Sequence, residues 1–391
     1  MSPVRINLAI AILLSAASFS ACQHRPAPQA ARAASTSAAA PTAIAPFQWR
    51  TLDAKAVAPW TPPAYRMSLL AGHFIKGSPD EQALELGAAG SRLIKVDLTT
   101  AAVGFKLRDP LPEVFVWDYN ADGVDDLCVP PLSAQIGGLP LMKRYPTKGL
   151  AIFGMSGQQL GQVACDADSG FAVGHFSGPG VDELAILPVL SIQPFEAPVY
   201  GTNGKPVDRF HLQGRELGLT VADVNGDGTD ELIRCSTAPG AGRNVDRQVF
   251  SYGLKEPRTF LTTWPEPQPD APRFGANLSG GQGQDIVGQR RLWNSAKHQL
   301  MALMDLPSNA MAAPSILPTV QLPAMSGTLL GLDLITDAAA SAKTTLQFYD
   351  PDGRHVHTEV LGPDLRSLIT LHSGGQAYLV VQLGDKIMIY P

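Results

Sequence analysis

Along the C-terminal part of the chain, apolar and polar residues alternate in short runs: Thr344-Thr-Leu-Gln-Phe348, His355-Val-His-Thr-Glu-Val360, Leu368-Ile-Thr-Leu371, Tyr378-Leu-Val-Val-Gln-Leu383 and Lys386-Ile-Met-Ile-Tyr390. A period of two turns successive side chains to opposite faces, so each run predicts a strand. Asp350-Pro-Asp-Gly353 and Gly384-Asp385 supply turns between them. The N-terminus follows another pattern. Arg5 precedes an apolar run, Ile6 to Ala17, that is too short to cross a bilayer comfortably and reads as an export signal. Residues 24–46 are almost entirely Ala, Pro, Ser, Thr, Gln and Arg. They offer little to pack and read as a disordered tether. The division that results is a signal segment 1–21, a tether 22–46 and a folded domain 47–391.

Between these ends, two segments superpose: Asp118-Tyr-Asn120-Ala-Asp122-Gly123-Val124-Asp-Asp126-Leu127 and Asp223-Val-Asn225-Gly-Asp227-Gly228-Thr229-Asp-Glu231-Leu232. Each places oxygen side chains at positions 1, 3, 5 and 9 and Gly at position 6, and the carbonyl of position 7 (Val124 or Thr229) completes a set suited to a hard cation. Calcium tolerates such loose, oxygen-rich geometry better than magnesium does. The same residues also suit a surface turn that binds nothing. An EF-hand would need Glu at position 12 and flanking helices, whereas these loops run into strand-like Leu127-Cys-Val and Leu232-Ile-Arg.

Both loops resemble the DxNxDGxxDL loops of FG-GAP or VCBS repeats, the blade unit of integrin-like β-propellers. The resemblance implies four-stranded antiparallel blades carrying calcium in the loop near the start of each unit. Weaker copies begin at His73, His175 and Asn277, giving intervals of 45, 57, 48 and 54 residues across the five copies, each long enough for one blade. A further unit is expected near Leu329-Leu-Gly-Leu-Asp333. A seventh could be completed by residues 47–69 pairing with the C-terminal strands, so an all-β propeller of seven blades is favoured over six. The copies at His175 and Asn277 place His, Ser and Pro, and Asn, Ser and Gly, where calcium would need acidic oxygens, and predict turns without firm metal sites. The apolar residue after position 9 (Leu127, Leu184, Leu232, Ile286) is expected to plug the core between blades. Phe19-Ser20-Ala21-Cys22 resembles the lipobox of bacterial lipoproteins, which implies acylation of Cys22. Phe19 departs from the usual aliphatic residue, and ordinary cleavage is the alternative. Gln23 rather than Asp after the Cys implies retention at the outer membrane, facing the periplasm, with a secreted or periplasmic protein as the alternative.

Composition narrows the chemistry. The 391 residues include 37 Gly and 33 Pro, and only 17% are charged, which suits many short strands joined by turns. A net charge of -5 gives no general attraction to nucleic acid. With Cys22 lipidated, Cys128, Cys165 and Cys235 remain, an odd number that argues against a disulfide framework. Interruptions at 129–148 and 188–215, with Met142-Lys143-Arg144-Tyr145 and Phe195-Glu196-Ala-Pro-Val-Tyr200, either cover strand ends or form a rim facing a partner. No serine-nucleophile elbow, zinc-protease pair, P-loop or dinucleotide fingerprint is present, and no organic cofactor is indicated. The expected function is a calcium-stabilised binding or assembly module of the cell envelope, its partner an envelope protein or a cell-wall or other glycan. The alternative is a polysaccharide-active lyase or hydrolase on a propeller scaffold.

Overall fold

The computed structural model describes residues 48–53, 69–86, 90–105, 114–131, 149–166, 169–188, 194–213, 216–237, 247–264, 274–276, 281–288, 291–302, 316–321, 328–335, 344–349, 355–362, 365–384 and 386–390. Outside them lie the signal segment, Cys22, the tether, Met142 to Tyr145, Pro265 to Pro272, Asn277 and the Asp350 to Gly353 turn. All described residues belong to one compact unit, Ala43–Pro391. Among them no helix is long and apolar enough to cross a membrane.

The alternating segments become strands that hydrogen-bond in antiparallel groups of four. After β1 (Arg50–Asp53), the first blade comprises β2 (Leu69–Gly72), β3 (Gln82–Glu85), β4 (Ser91–Ile94) and β5 (Thr100–Val103). The second comprises β6 (Phe115–Trp117), β7 (Asp126–Val129), β8 (Leu150–Phe153) and β9 (Gln159–Val163). The third has β10 (Ser169–Gly174), β11 (Glu183–Pro188), β12 (Phe195–Gly201) and β13 (Lys205–Leu212); the fourth has β14 (Glu216–Ala222), β15 (Glu231–Thr237), β16 (Arg247–Tyr252) and β17 (Thr259–Trp264). Next come β18 (Phe274–Ala276), β19 (Asp285–Val287), β20 (Arg291–Asn294) and β21 (Gln299–Ala302), then β22 (Ile316–Gln321), β23 (Thr328–Ile335), β24 (Thr344–Tyr349) and β25 (His355–Val360). The last sheet is composite: β26 (Leu365–Ser373), β27 (Gln376–Leu383) and β28 (Lys386–Tyr390) are completed by β1, with Arg50 opposite Ile389 and Asp53 opposite Lys386.

The first strand of each group faces its neighbours across the ring. β2 adjoins both β6 and β26, and β10–β14, β14–β18, β18–β22 and β22–β26 adjoin in turn. The remaining junction is marked by Phe115 of β6 stacked on Phe171 of β10, centroids 5.3 Å apart. This is a β-propeller.

Two expectations about the blades need correction. Among the described residues, uninterrupted runs of four consecutive strands number six, and the seventh four-stranded sheet is no further repeat but a joint of both chain ends. The two calcium-binding blade loops that the sequence predicts are also not both indicated, because among the described residues carboxylates converge closely only at Asp223, Asp227 and Glu231. Smaller corrections follow. The sixth unit begins at Ile316 rather than near Leu329. Phe195 to Tyr200 is a strand, with Ala197 and Val199 fully buried, rather than part of an interruption. Pro198 disguised it: β12 pairs with β11 only at Tyr200 and Val199, so Pro198 pairs with Arg209 of β13 and its missing N–H leaves no gap in the β11 ladder.

The core lies between blades. Leu127, Leu184, Leu232 and Ile286 are all fully buried, each at the same point of the second strand. Leu127 packs with Phe74, Leu84 and Leu93 of the first blade, and Leu184 with Trp117 and Ile152 of the second. Leu232 packs with Phe176 and Phe210 of the third.

Candidate functional site

Each matching segment forms the connection from the first to the second strand of its blade. In the fourth blade this is the β14–β15 loop. Asp223 accepts the Gly226 N–H at 2.7 Å and the Asp227 N–H at 3.2 Å on one oxygen, and the Gly228 N–H at 3.0 Å on the other. Gly226 and Gly228 take φ of 76° and 86°, a conformation that costs side-chain-bearing residues energy. Asn225 Oδ1 accepts the Asp227 N–H, and its Nδ2 donates to Glu231 Oε1 at 2.9 Å. Asp227 accepts both the N–H and the hydroxyl of Thr229, which holds its carboxyl below the usual range. Glu231 opens β15, is almost wholly buried, and accepts the Val224 N–H at 2.8 Å.

One carboxylate oxygen from each of Asp223, Asp227 and Glu231 lies within 4.8 Å of the others. Burial, helped by the charges of Asp223 and Asp227, pushes Glu231 up to about 8. Burial and like charge together disfavour its ionised form, and a hard cation among these oxygens would offset both. Asn225 Oδ1 and the Thr229 carbonyl are the further oxygens this loop can offer.

The β6–β7 loop of the second blade shares the turn. Asp118 accepts the N–H groups of Asp122 (3.1 Å) and Gly123 (2.9 Å), Asn120 Oδ1 accepts that of Asp122 (3.0 Å), and Asp122 accepts that of Val124 (3.0 Å). Asp126 is buried, and its Oδ2 has no partner. Burial, then Asp122 and Asp118, push it up to about 7. Asp118, Asp122 and Asp126 do not draw together as tightly as the trio of the fourth blade.

Position 9 has a second duty in the first, third and fourth copies, whereas Asp285 of the fifth accepts the N–H and hydroxyl of Ser295. Gln82 accepts the Phe74 N–H (2.8 Å), and Glu183 accepts the N–H and hydroxyl of Ser177 (2.7 and 2.6 Å). It therefore braces its own loop even where no cation ligands accompany it. The first copy carries one residue more than the others between its first position and its second strand, so Gln82 rather than Glu81 opens that strand.

The preceding residue, position 8, forms a junction that the sequence reading missed. Asp125 donates its N–H to the His73 carbonyl (2.8 Å) and accepts the His73 N–H on Oδ2 (2.6 Å). Asp230 does the same with His175, at 3.0 and 2.7 Å. Gln284 pairs with Asp223 (2.5 and 3.2 Å), and Glu81 with His372 (2.9 and 2.7 Å). Each clasp ties the loop of one blade to the first strand of the blade before it. A signal was available, because an acidic or amide side chain stands immediately before the second strand in each of these copies.

The histidines at repeat positions thus serve the scaffold through their backbones. The His175 ring has a further contact, Nε2 to Asp182 Oδ1 at 3.1 Å, with both side chains partly exposed. His355 bonds Thr358 (2.7 Å), and His357 meets Glu359 (3.3 Å). Cys128, Cys165 and Cys235 are not joined in a disulfide. An open cavity of about 510 Å³, lined by Gly149, Gln162, Ala164, Cys165 and Asp166, lies at the opposite end of the second blade's strands from Asp118.

No family model and no curated protein matches the chain, so the FG-GAP/VCBS resemblance rests on the loops themselves. Solved structures do match. BBS1N in complex with ARL6DN is 10% identical, with a TM-score of 0.54 over 88% of this chain and 97% of that one. Virginiamycin B lyase from Staphylococcus aureus, a catalytically inactive form with quinupristin, is 10% identical with a TM-score of 0.46 over 88% and 99%. Rhamnogalacturonan lyase from Bacillus licheniformis is 13% identical with a TM-score of 0.40 over 78% and 63%. At these identities the likeness is one of fold.

Proposed function

We propose that this chain is a cation-stabilised binding or assembly module of the bacterial cell envelope. The convergence of Asp223, Asp227 and Glu231 carries the reading. Calcium is the ion this oxygen set suits, with Asn225 and Thr229 completing the shell. Asp118, Asn120, Asp122, Val124 and Asp126 are proposed as a second, looser site, supported by the unpartnered oxygen of Asp126. Lipidation of Cys22 and placement at the outer membrane facing the periplasm rest on the sequence near Phe19 to Cys22. The partner is an envelope protein or a glycan. The chain's own residues define the chemistry: the carboxylates repel one another when empty, and an ion between them removes that cost and stiffens the loop. The test is calorimetric titration with calcium together with an in-cell cross-linking pull-down, with and without chelator. Saturable binding from which Asp227→Ala removes the tighter event, with a chelator-sensitive partner, supports the reading, and wild-type protein that takes up no calcium refutes it.

A second reading is a polysaccharide-active lyase or hydrolase. The partly exposed His175–Asp182 pair is a proton-passing arrangement that such chemistry can use, and two lyases are among the structures of like fold. Release of unsaturated or reducing ends from envelope polysaccharides, lost in His175→Gln, would establish it.

A further inference from the structure

The four clasps between blades are alike in their backbone bonds but not in their side chains. In the clasps of His73 with Asp125 and Asp223 with Gln284 the position-8 side chain accepts only a backbone N–H, and the His175 Nδ1 stands 3.7 Å from Asp230 Oδ2. Where the composite sheet meets the first blade, the imidazole itself joins. His372 Nδ1 lies 2.9 Å from Glu81 Oε2, the same oxygen that accepts the His372 N–H. The Gly374 N–H donates to Asp80 Oδ1 at 2.9 Å beside it.

This junction closes the ring. Its two sides come from opposite ends of the sequence, and they meet through β2 against β26, the Leu69 N–H on Ser367 Oγ, and Gln382 Nε2 on Glu85 Oε1. We infer that the His372–Glu81 pair is a proton-dependent latch on the ring seam, holding the first and last blades together most firmly when the imidazole is protonated and the carboxylate ionised.

Glu81 meets His372 from the first blade, Asp80 lies beside it on the Gly374 N–H, and the charge of His73 acts on Glu81; the hairpin of His372, residues 373–378, carries no charged side chain. The Glu81 hydrogen bond holds His372 above the ordinary histidine range. Burial pushes Glu81 up, but its bonds to His372 outweigh this and leave it low. A raised imidazole stabilises the seam fully below its unfolded value and loses that contribution as pH rises through its folded value. A lowered carboxyl contributes above its unfolded value and loses that as pH falls through its folded value. The latch is therefore tightest in the mildly acidic window between the two.

The experiment is amide exchange of residues 81, 372 and 374 in the full chain, corrected for intrinsic rate, across the pH range of histidine titration. Both side chains are partly exposed, so an opening equilibrium that rises about two- to fivefold with pH is expected. His372→Gln should flatten that rise, while His175→Gln, at the equivalent clasp position in the third blade and away from the seam, should leave it. Nuclear magnetic resonance of the His372 ring gives an independent reading that packing alone would not move: its midpoint lies above that of free histidine and falls in Glu81→Gln. Seam amides with no pH step beyond those of His73 and Asp125, or an unshifted His372 midpoint in the wild-type chain, would overturn the latch.

Discussion

The clasp between the first two blades can be broken by one methyl group. A Cβ added at Gly72 would stand 2.6 Å from Asp125 Oδ2 and 2.9 Å from Phe74 Cζ. Neither neighbour can yield freely. The Asp125 oxygen holds the His73 N–H at 2.6 Å, and the Phe74 ring is buried in the cluster that contains Leu84 and Leu127. If the carboxylate moves, a hydrogen bond to a charged group worth about 1.5–3 kcal/mol is lost. If the ring moves, overpacking costs about 1–3 kcal/mol. Gly72→Ala should thus destabilise the protein by about 2–3 kcal/mol. Gly170→Ala is the control, because its nearest neighbours would be at 3.6 and 3.7 Å, and the loss of glycine freedom should leave stability unchanged or up to about 1 kcal/mol higher. Urea unfolding with an unchanged slope measures both. In an Asp125→Ala background the Gly72→Ala cost should shrink, since the obstructing oxygen is gone. Gly72→Ala within about 0.5 kcal/mol of wild type would refute the clasp as a contributor to stability.

Other outcomes follow from the loops and thiols. Without calcium, stability should fall as pH rises from about 4.5 to about 8, because Glu231 stays protonated in the fold after the unfolded chain has ionised. Glu231→Gln should remove about 1–3 kcal/mol of that slope, read by urea titrations at several pH values. Asp227→Ala should abolish most of the rise in melting temperature that calcium produces, whereas Asp118→Ala should reduce it less, as thermal scans with and without chelator will show. A thiol reagent should label Cys165 in the folded protein and reach the buried Cys128 and Cys235 only on unfolding.

Much of the propeller was written locally. The β14–β15 and β6–β7 loops lie between strands where Asp223 to Glu231 and Asp118 to Asp126 indicated, because Asp, Asn and Gly at fixed offsets dictate one turn. Leu184 and Ile286 marked the core because burial follows the same point of each repeat. What the sequence hid is non-local. Position 8 and position 9 are adjacent carboxylates in Asp125-Asp126, yet one reaches the preceding blade while the other turns into its own loop, and no spacing rule separates those duties. The alignment of the two loops likewise concealed their difference. Glu231 is one methylene longer than Asp126 and reaches the Asp223–Asp227 pair, whereas the shorter Asp126 keeps an oxygen without a partner.

The joint of β1 with β28 sets an order of events in synthesis. Arg50 finds Ile389 only after the intervening blades have been made, so β1 waits as an unpaired edge while six sheets form behind it from neighbouring strands. Contacts so distant are slow to form, and an idle strand is open to pairing with another chain. The hazard ends when Lys386–Tyr390 arrives, which makes those last residues the step on which clean maturation depends.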